Sequence, residues 1–487
     1  MVVLGQAQPP ATTPKATVNI PESIQESSVE MGSTEFGKQQ PNAFYGIEED
    51  QENENISMGE LLKRLSDYDG SSPLSQQSDL FMRKIPLRPT EDRVHVEALA
   101  QLLSSKKAKN LKRFVLNKNG GSEEGESGSA ITSLDAEMFG ILVEKGFLKQ
   151  PFEPTLEVVG ITSNNITIES CMFLSKLLFQ KGSKLKKLYL YNNHIGPECL
   201  KVIFHPVLEG TKKPDVIAPP LTKLVVISNP IGNSGVKVIR QIAEAIPTIS
   251  DIVLRSVNIE EEGGLDLADF ISKNPGQLVH LDLSENTKIG LKAFQALASA
   301  LEKSRVSMLD LNEIGMDSTE AVDALVKLIK NNKSIRKFDV SDNKIGNAGV
   351  KAIATAIGQF VEGTNDFPFL SKIDISNVGL SSEGVRFVVD AVKKNKKITK
   401  VYLYRVDFFM EDSELEKELK DLKKIIRSDF VDEEVISENE ENTDVSGETE
   451  EPEAAEEEEE VDNFTEEDIK NHPLFSSESS ATKKDEL

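Results

Sequence analysis

The stretch "LKKLYLYNNHIGPECL", Leu185 to Leu200, decides how the chain is read. Leu185, Leu188, Leu190, Asn193 and Ile195 fall at the spacing L-x-x-L-x-L-x-x-N-x-L. Leu188 and Leu190 alternate with Lys187, Tyr189 and Tyr191, the two-residue period of a strand with one face buried. That apolar pattern leaves Lys187, Tyr189, Tyr191 and Asn192 unconstrained, so their identity has to be explained separately.

The same pattern recurs from Leu111 onward. Units begin at Leu111, Leu156, Leu185, Leu221, Ile249, Leu278, Val306, Ile335, Leu370 and Ile398. The prevailing spacing of 28–29 residues indicates a leucine-rich repeat of the long class, with a full helix in each unit. "GNAGVKAIATAIGQF" and "SSEGVRFVVDAVKKN" carry apolar residues at helical spacing. One strand–loop–helix unit cannot bury its apolar face alone, whereas stacked units share a continuous core. The expected fold is therefore an α/β solenoid, a horseshoe with a parallel inner sheet and outer helices. Asn119, Asn164, Asn193, Asn229, Asn286 and Asn343 stand where the chain leaves each strand, placed to bond backbone groups of the turn. Val257, Ile314, Val378 and Val406 occupy that slot in the other units.

Around the repeats the chain divides into five parts. Residues 1–78 read as a disordered arm, with "MGELLKRLSDY" (58–68) as a short helix able to dock. Residues 79–110 form an N-terminal cap, 111–410 about ten repeats, 411–428 a closing helix and 429–487 a disordered acidic tail. Three loops carry extra residues, at 120–130, 209–220 and 360–369, a place where partner contacts tend to collect.

The net charge of −25 belongs to the ends. Residues 1–80 hold 13 acids and 4 bases and residues 428–487 hold 24 and 3, leaving 44 acids and 49 bases for 81–427. With no dense basic stripe interleaved with aromatics, nucleic acid is not an expected partner. No run of eighteen apolar residues is present, so no membrane span is expected. Cys171 and Cys199 read as two buried free thiols in a reducing compartment. The terminal Lys484-Asp485-Glu486-Leu487 matches an endoplasmic-reticulum retrieval address. No signal-peptide core follows Met1, so the tetrapeptide reads as coincidental and the protein as a cytoplasmic monomer. His95, His194, His205, His280 and His472 form no zinc spacing, and no P-loop, nucleophile elbow or dinucleotide fingerprint occurs. No metal, cofactor or active site of its own is expected. "KVIF" (201–204) matches a phosphatase-docking tetrapeptide in form but lies on a repeat helix.

In each strand the residue between the last two core positions points into the hollow of the horseshoe. In order these are Val115, Gly160, Tyr189, Val225, Val253, Asp282, Asp310, Asp339, Asp374 and Tyr402. The four aspartates on adjacent strands would repel one another, a cost that a basic protein surface or cations would relieve. L-D-L is also a common repeat filler, so a purely structural origin stays open. Tyr189 and Tyr191 share a face, with Asn192 at the strand end, which suggests exposed aromatics beside a free amide.

The order of features resembles the Ran GTPase-activating proteins. The cap "KIPLRPTEDRVHVEALAQLLSSKKAKNLKRFVLNKNGG", the unit "LKKLYLYNNHIGPE" followed by an insert and "APPLTKLVVISNPIGNSG", and the acidic tail carry the likeness over about 81–460. The resemblance implies a Ran-type small GTPase as partner. It also implies catalysis by positioning, with Asn192 in the place of the family's key asparagine and no nucleophile or arginine finger supplied. That family's arginine-bearing motifs have no counterpart here: 117–130 and 160–168 contain no Arg, and 227–233 read Ile-Ser-Asn-Pro-Ile-Gly-Asn. The chain is therefore either a divergent activator or a non-catalytic scaffold, in the manner of tropomodulin-like or phosphatase-regulator repeat proteins. Tyr189, Tyr191, Asn192, Asp282, Asp310, Asp339 and Asp374 are the expected partner-binding residues.

Overall fold

The computed structural model describes residues 61–62, 65, 78–83, 87, 92–117, 134–209, 217–358, 370–406 and 413–429, all within the compact unit that runs to Val435. The expected disorder of the arm and of the acidic tail, most of the three loop inserts and Asn119 lie outside the described residues.

Strand and helix alternate throughout. β1 (Asp79–Arg83) and α1 (Arg93–Leu103) form the cap, followed by β2 (Arg113–Asn117), α2 (Ala136–Ile141), β3 (Val158–Thr162) and α3 (Ile168–Leu178). Next come β4 (Lys187–Tyr191), α4 (Pro197–Leu208), β5 (Lys223–Val225), α5 (Gly232–Ala245), β6 (Asp251–Val253) and α6 (Glu261–Lys273). The series continues with β7 (His280–Asp282), α7 (Gly290–Leu301), β8 (Met308–Asp310), α8 (Thr319–Asn331), β9 (Lys337–Asp339) and α9 (Gly346–Gly358). It ends with β10 (Lys372–Asp374), α10 (Ser382–Lys394), β11 (Lys400–Leu403), α11 (Ser413–Asp421) and β12 (Ile426–Ser428). The strands form one twelve-stranded sheet in chain order, each parallel to the next. A parallel sheet requires a crossover between strands, and the helix of each unit supplies it. This is an α/β leucine-rich repeat solenoid. The closing element is more than the expected helix, because after α11 the chain returns to the sheet as β12.

A single apolar cluster runs from Leu61 and Leu65 through the leucines and isoleucines of every unit to Ile426. Fully burying one such side chain contributes about 1.5–3 kcal/mol, so the stack as a whole outweighs any one unit. The docked helix expected near 58–68 is represented by Leu61 and Leu65, which are helical and buried.

The asparagine slots work between units as well as within one, the Nδ2 of Asn229, Asn286 and Asn343 donating to carbonyls of its own turn, such as Asn229 to Ile227 O, while Oδ1 reaches the unit before. Asn229 Oδ1 accepts from Asn193 and Ile195 N–H groups, Asn286 Oδ1 from Val257 and Ile259, and Asn343 Oδ1 from Ile314 and Met316. The turns at Val257 and Ile314, which lack their own Asn, are thus satisfied by the Asn of the following unit. That explains the alternation from Asn229 to Val378, since one amide can serve the turn before it. At two of the apolar slots a glycine amide of the unit before bonds the slot's carbonyl: Gly232 N–H donates to Val257 O at 3.0 Å and Gly346 N–H to Val378 O at 2.7 Å. Both glycines have positive φ, 57° and 66°, a region that favours glycine because it has no Cβ.

Cys171 on α3 and Cys199 on α4 are joined in a disulfide, so they are not the two free thiols expected. Their separation of 28 residues is one repeat, and stacking brings equivalent helix positions together with Cα atoms 5.8 Å apart, within bridging range.

Candidate functional site

The inner face is built from lines of residues in register. Val115, Gly160, Tyr189, Val225, Val253, Asp282, Asp310, Asp339, Asp374 and Tyr402 pair one with the next across β2 to β11. The inward line expected from the sequence is therefore continuous. Its surroundings differ from those expected.

Tyr189 is buried, not exposed. It packs with Val225, Ile227 and Val253 in a small apolar cluster on the inner side, against which Val158 and Tyr191 lie half-buried. Adjacent strands stand only about 4.8 Å apart, so side chains on one register line touch and exclude water. Burial pushes the Tyr189 phenol up to about 12.

The aspartates are not a bare acidic row. Asp282 and Asp374 are buried, while Asp310 and Asp339 are half-buried. Asp282, Asp339 and Asp374 each accept the N–H of the residue two positions on, from Ser284 at 2.8 Å, Ser341 at 2.8 Å and Ser376 at 2.9 Å. Asp339 also accepts from Ser341 Oγ at 2.6 Å. Asp310 Oδ2 lies 2.9 Å from His280 Nε2. Burial, then the neighbouring Asp374 and Asp310 carboxylates, raise Asp339 well above the usual carboxylate range. Asp374 is raised to about 6, chiefly by burial.

A second line, two residues earlier on each strand, shares this face. It reads Arg113, Val158, Lys187, Lys223, Asp251, His280, Met308, Lys337, Lys372 and Lys400. Sequence reasoning about single inward positions missed it, although a period of two places both residues flanking the central apolar one on the same side. His280 is its centre. The ring is buried, with Nε2 on Asp310 and Nδ1 3.7 Å from Asp251 Oδ1, an ion-pair distance. Burial alone would lower its pKa, but the two carboxylates override that and raise it to about 9. Cations thus flank the aspartates within the wall itself.

Asn192 stands at the rim where β4 ends. It is half-exposed and left-handed, with φ 51°. Ser163, Ser228, Ser256, Glu285, Glu313, Asp342, Asn377 and Arg405 are likewise left-handed where their own strands exit. Asn tolerates this region better than most residues, which gives Asn192 a backbone reason for its identity. Its N–H donates to Ile227 O at 2.9 Å and its Nδ2 to Ser163 Oγ at 3.3 Å. Asn193 beside it is buried, with Nδ2 donating to Ile161 O at 2.6 Å.

Among the described residues no group of three or more His, Cys, Asp or Glu is arranged to hold a metal ion, and no helix is long and apolar enough to cross a membrane. Ile203 and Phe204 are buried, so "KVIF" does not present a docking tetrapeptide.

A family model described as Leucine Rich repeat matches residues 331–354. The chain is 22% identical over 257 residues to the human NACHT, LRR and PYD domains-containing protein 5, covering 52% of this chain and 20% of that protein. It is 26% identical over 201 residues to the human NACHT, LRR and PYD domains-containing protein 2, covering 41% and 18%. The chain spans about a fifth of the length of the curated relatives it matches. Among solved structures it is similar to the yeast Rad7 and Elc1 complex, at 12% identity and a TM-score of 0.43, covering 74% of this chain and 81% of that chain. Repeat spacing, sheet topology and the matched repeat together make this a leucine-rich repeat solenoid.

Proposed function

We propose that the protein engages a small GTPase of the Ran type along the rim beside β4, and that Asn192 promotes hydrolysis by positioning. One observation carries the reading. The Asn192 amide is held by its own backbone bond and by Ser163, yet its Oδ1 has no partner among the described residues. A fixed amide with an open acceptor is suited to ordering a glutamine that the GTPase itself supplies. Phosphoryl transfer depends on such positioning and asks for no nucleophile from the activator. Tyr191, half-buried beside it, offers an apolar contact for the partner. Cytoplasmic residence belongs to the same proposal.

The missing arginines favour a second reading, a non-catalytic scaffold on the same rim. Single-turnover GTP hydrolysis by a Ran-type GTPase, measured together with binding, separates the two. Activation predicts acceleration by the full chain and a loss of roughly 100-fold in Asn192→Ala with binding retained. Binding without acceleration supports the scaffold, and no binding rejects this partner class for both.

A further inference from the structure

A different surface stands out on the opposite rim, where the chain enters the first strands. Lys112, Glu157 and Lys186 are adjacent there, because Glu157 N–H donates to Lys112 O at 2.7 Å and Lys186 N–H to Glu157 O at 2.8 Å. Lys186 Nζ lies 2.8 Å and Lys112 Nζ 3.7 Å from the one Glu157 carboxylate. Lys109 and Lys184 line the same hollow of about 390 Å³, together with Lys112, Asn110, Thr155 and Glu157. Lys109 and Lys184 are exposed, and neither has a carboxylate at ion-pair distance among the described residues.

The outer helices show the contrast. Lys237 has Glu262 at 2.6 Å, Arg240 has Asp269 at 2.8 Å, Lys327 has Glu302 at 2.7 Å and Lys393 has Glu418 at 2.5 Å. Each of those four cations has a carboxylate of a neighbouring unit, whereas at this rim Lys112 and Lys186 share Glu157, and Lys109 and Lys184 have none among the described residues. The excess is local. Further along the same line the entering residues are Thr222, Ser250, Val279, Ser307, Arg336, Ser371 and Thr399, with Arg336 the one charged residue among them.

We infer that this rim hollow docks an extended Asp/Glu-rich segment of a protein partner. The excess positive charge is complementary to carboxylates, and Asn110 and Thr155 add polar groups at the floor. Lys112 and Lys186 are two strands apart, about 10 Å at the usual strand spacing. Alternate side chains of an extended segment recur about every 7 Å, so successive same-side carboxylates span from one lysine toward the other. Among the described residues no aromatic ring lines the hollow, and single-stranded nucleic acid binding relies on such rings for stacking, so an acidic polypeptide is the better fit.

The test uses the full chain with a fluorescein-labelled peptide of ten glutamates, and a ten-nucleotide oligothymidylate as the competing polyanion. The peptide binds, more weakly as salt rises. The Lys109→Glu/Lys184→Glu variant, altered only at exposed positions, melts like the wild type and loses at least about tenfold in affinity, the scale of 1.4 kcal/mol. Asn192→Ala binds the peptide unchanged, so this inference stands or falls apart from the GTPase reading. Absence of peptide binding, equal binding by the charge-reversed variant, or tighter binding of the oligothymidylate would each overturn it.

Discussion

The inner register line changes character between Val253 and Asp282, two residues that occupy the same repeat position one strand apart. On the N-terminal side, Tyr189, Val225 and Val253 close the wall by apolar contact. On the C-terminal side, Asp282, Asp339 and Asp374 close it by accepting serine amides, and Asp310 by pairing with His280. The backbone ladder is the same in both halves. One geometry therefore accepts two side-chain solutions, provided each half satisfies its own groups. Neither half is a bare surface awaiting a partner, and the groups proposed to meet one lie at the rims: Asn192 Oδ1 at the strand exits, Lys109 and Lys184 at the entries.

The strongest way to break this contrast is to move an aspartate across the boundary. Val253→Asp places a carboxylate, with Tyr189 and Val225 beside it, in a fully buried slot. A cost of about 4 kcal/mol is expected, as for an uncompensated buried charge, and urea unfolding measures it. A cost below about 0.5 kcal/mol, the scale of an ordinary surface substitution, would mean that the halves are interchangeable.

A smaller effect sharpens the charged half. His280 faces Asp251 on β6 and Asp310 on β8, with Lys223 on β5 opposing its charge. Because its pKa is raised from 6.5 to about 9, its contribution is fully present below 6.5 and is lost as pH rises through 9. That contribution is on the order of 3 kcal/mol. Denaturation midpoints should fall between pH 6.5 and 9 in the wild type and stay nearly level in His280→Gln across that window. An equal slope in both would remove the ion triad from the account.

Much of the wall was legible before any coordinates. The 28-residue spacing placed the strands, and the alternation of Leu188 and Leu190 with Tyr189 put the inner line in the right register. Exposure was not legible, because it depends on neighbours that lie a whole repeat away. Tyr189 is covered by Val225 and Val253 from the next two units, and Asp310 is neutralised by His280 from the unit before. The same non-local logic hid the Cys171–Cys199 bridge and the service that Asn286 gives to Val257. β12 escaped notice because three residues after a charged helix carry too short a pattern to read as a strand.

Carboxyl labelling of the native chain with a carbodiimide and a small amine, followed by peptide mass spectrometry, tests the self-satisfied wall most directly. Asp282 and Asp374, buried on the inner line, should stay unlabelled, while the exposed rim residue Glu313 reacts freely. Labelling of Asp282 and Asp374 at the rate of Glu313 would show an open acidic wall and contradict the account.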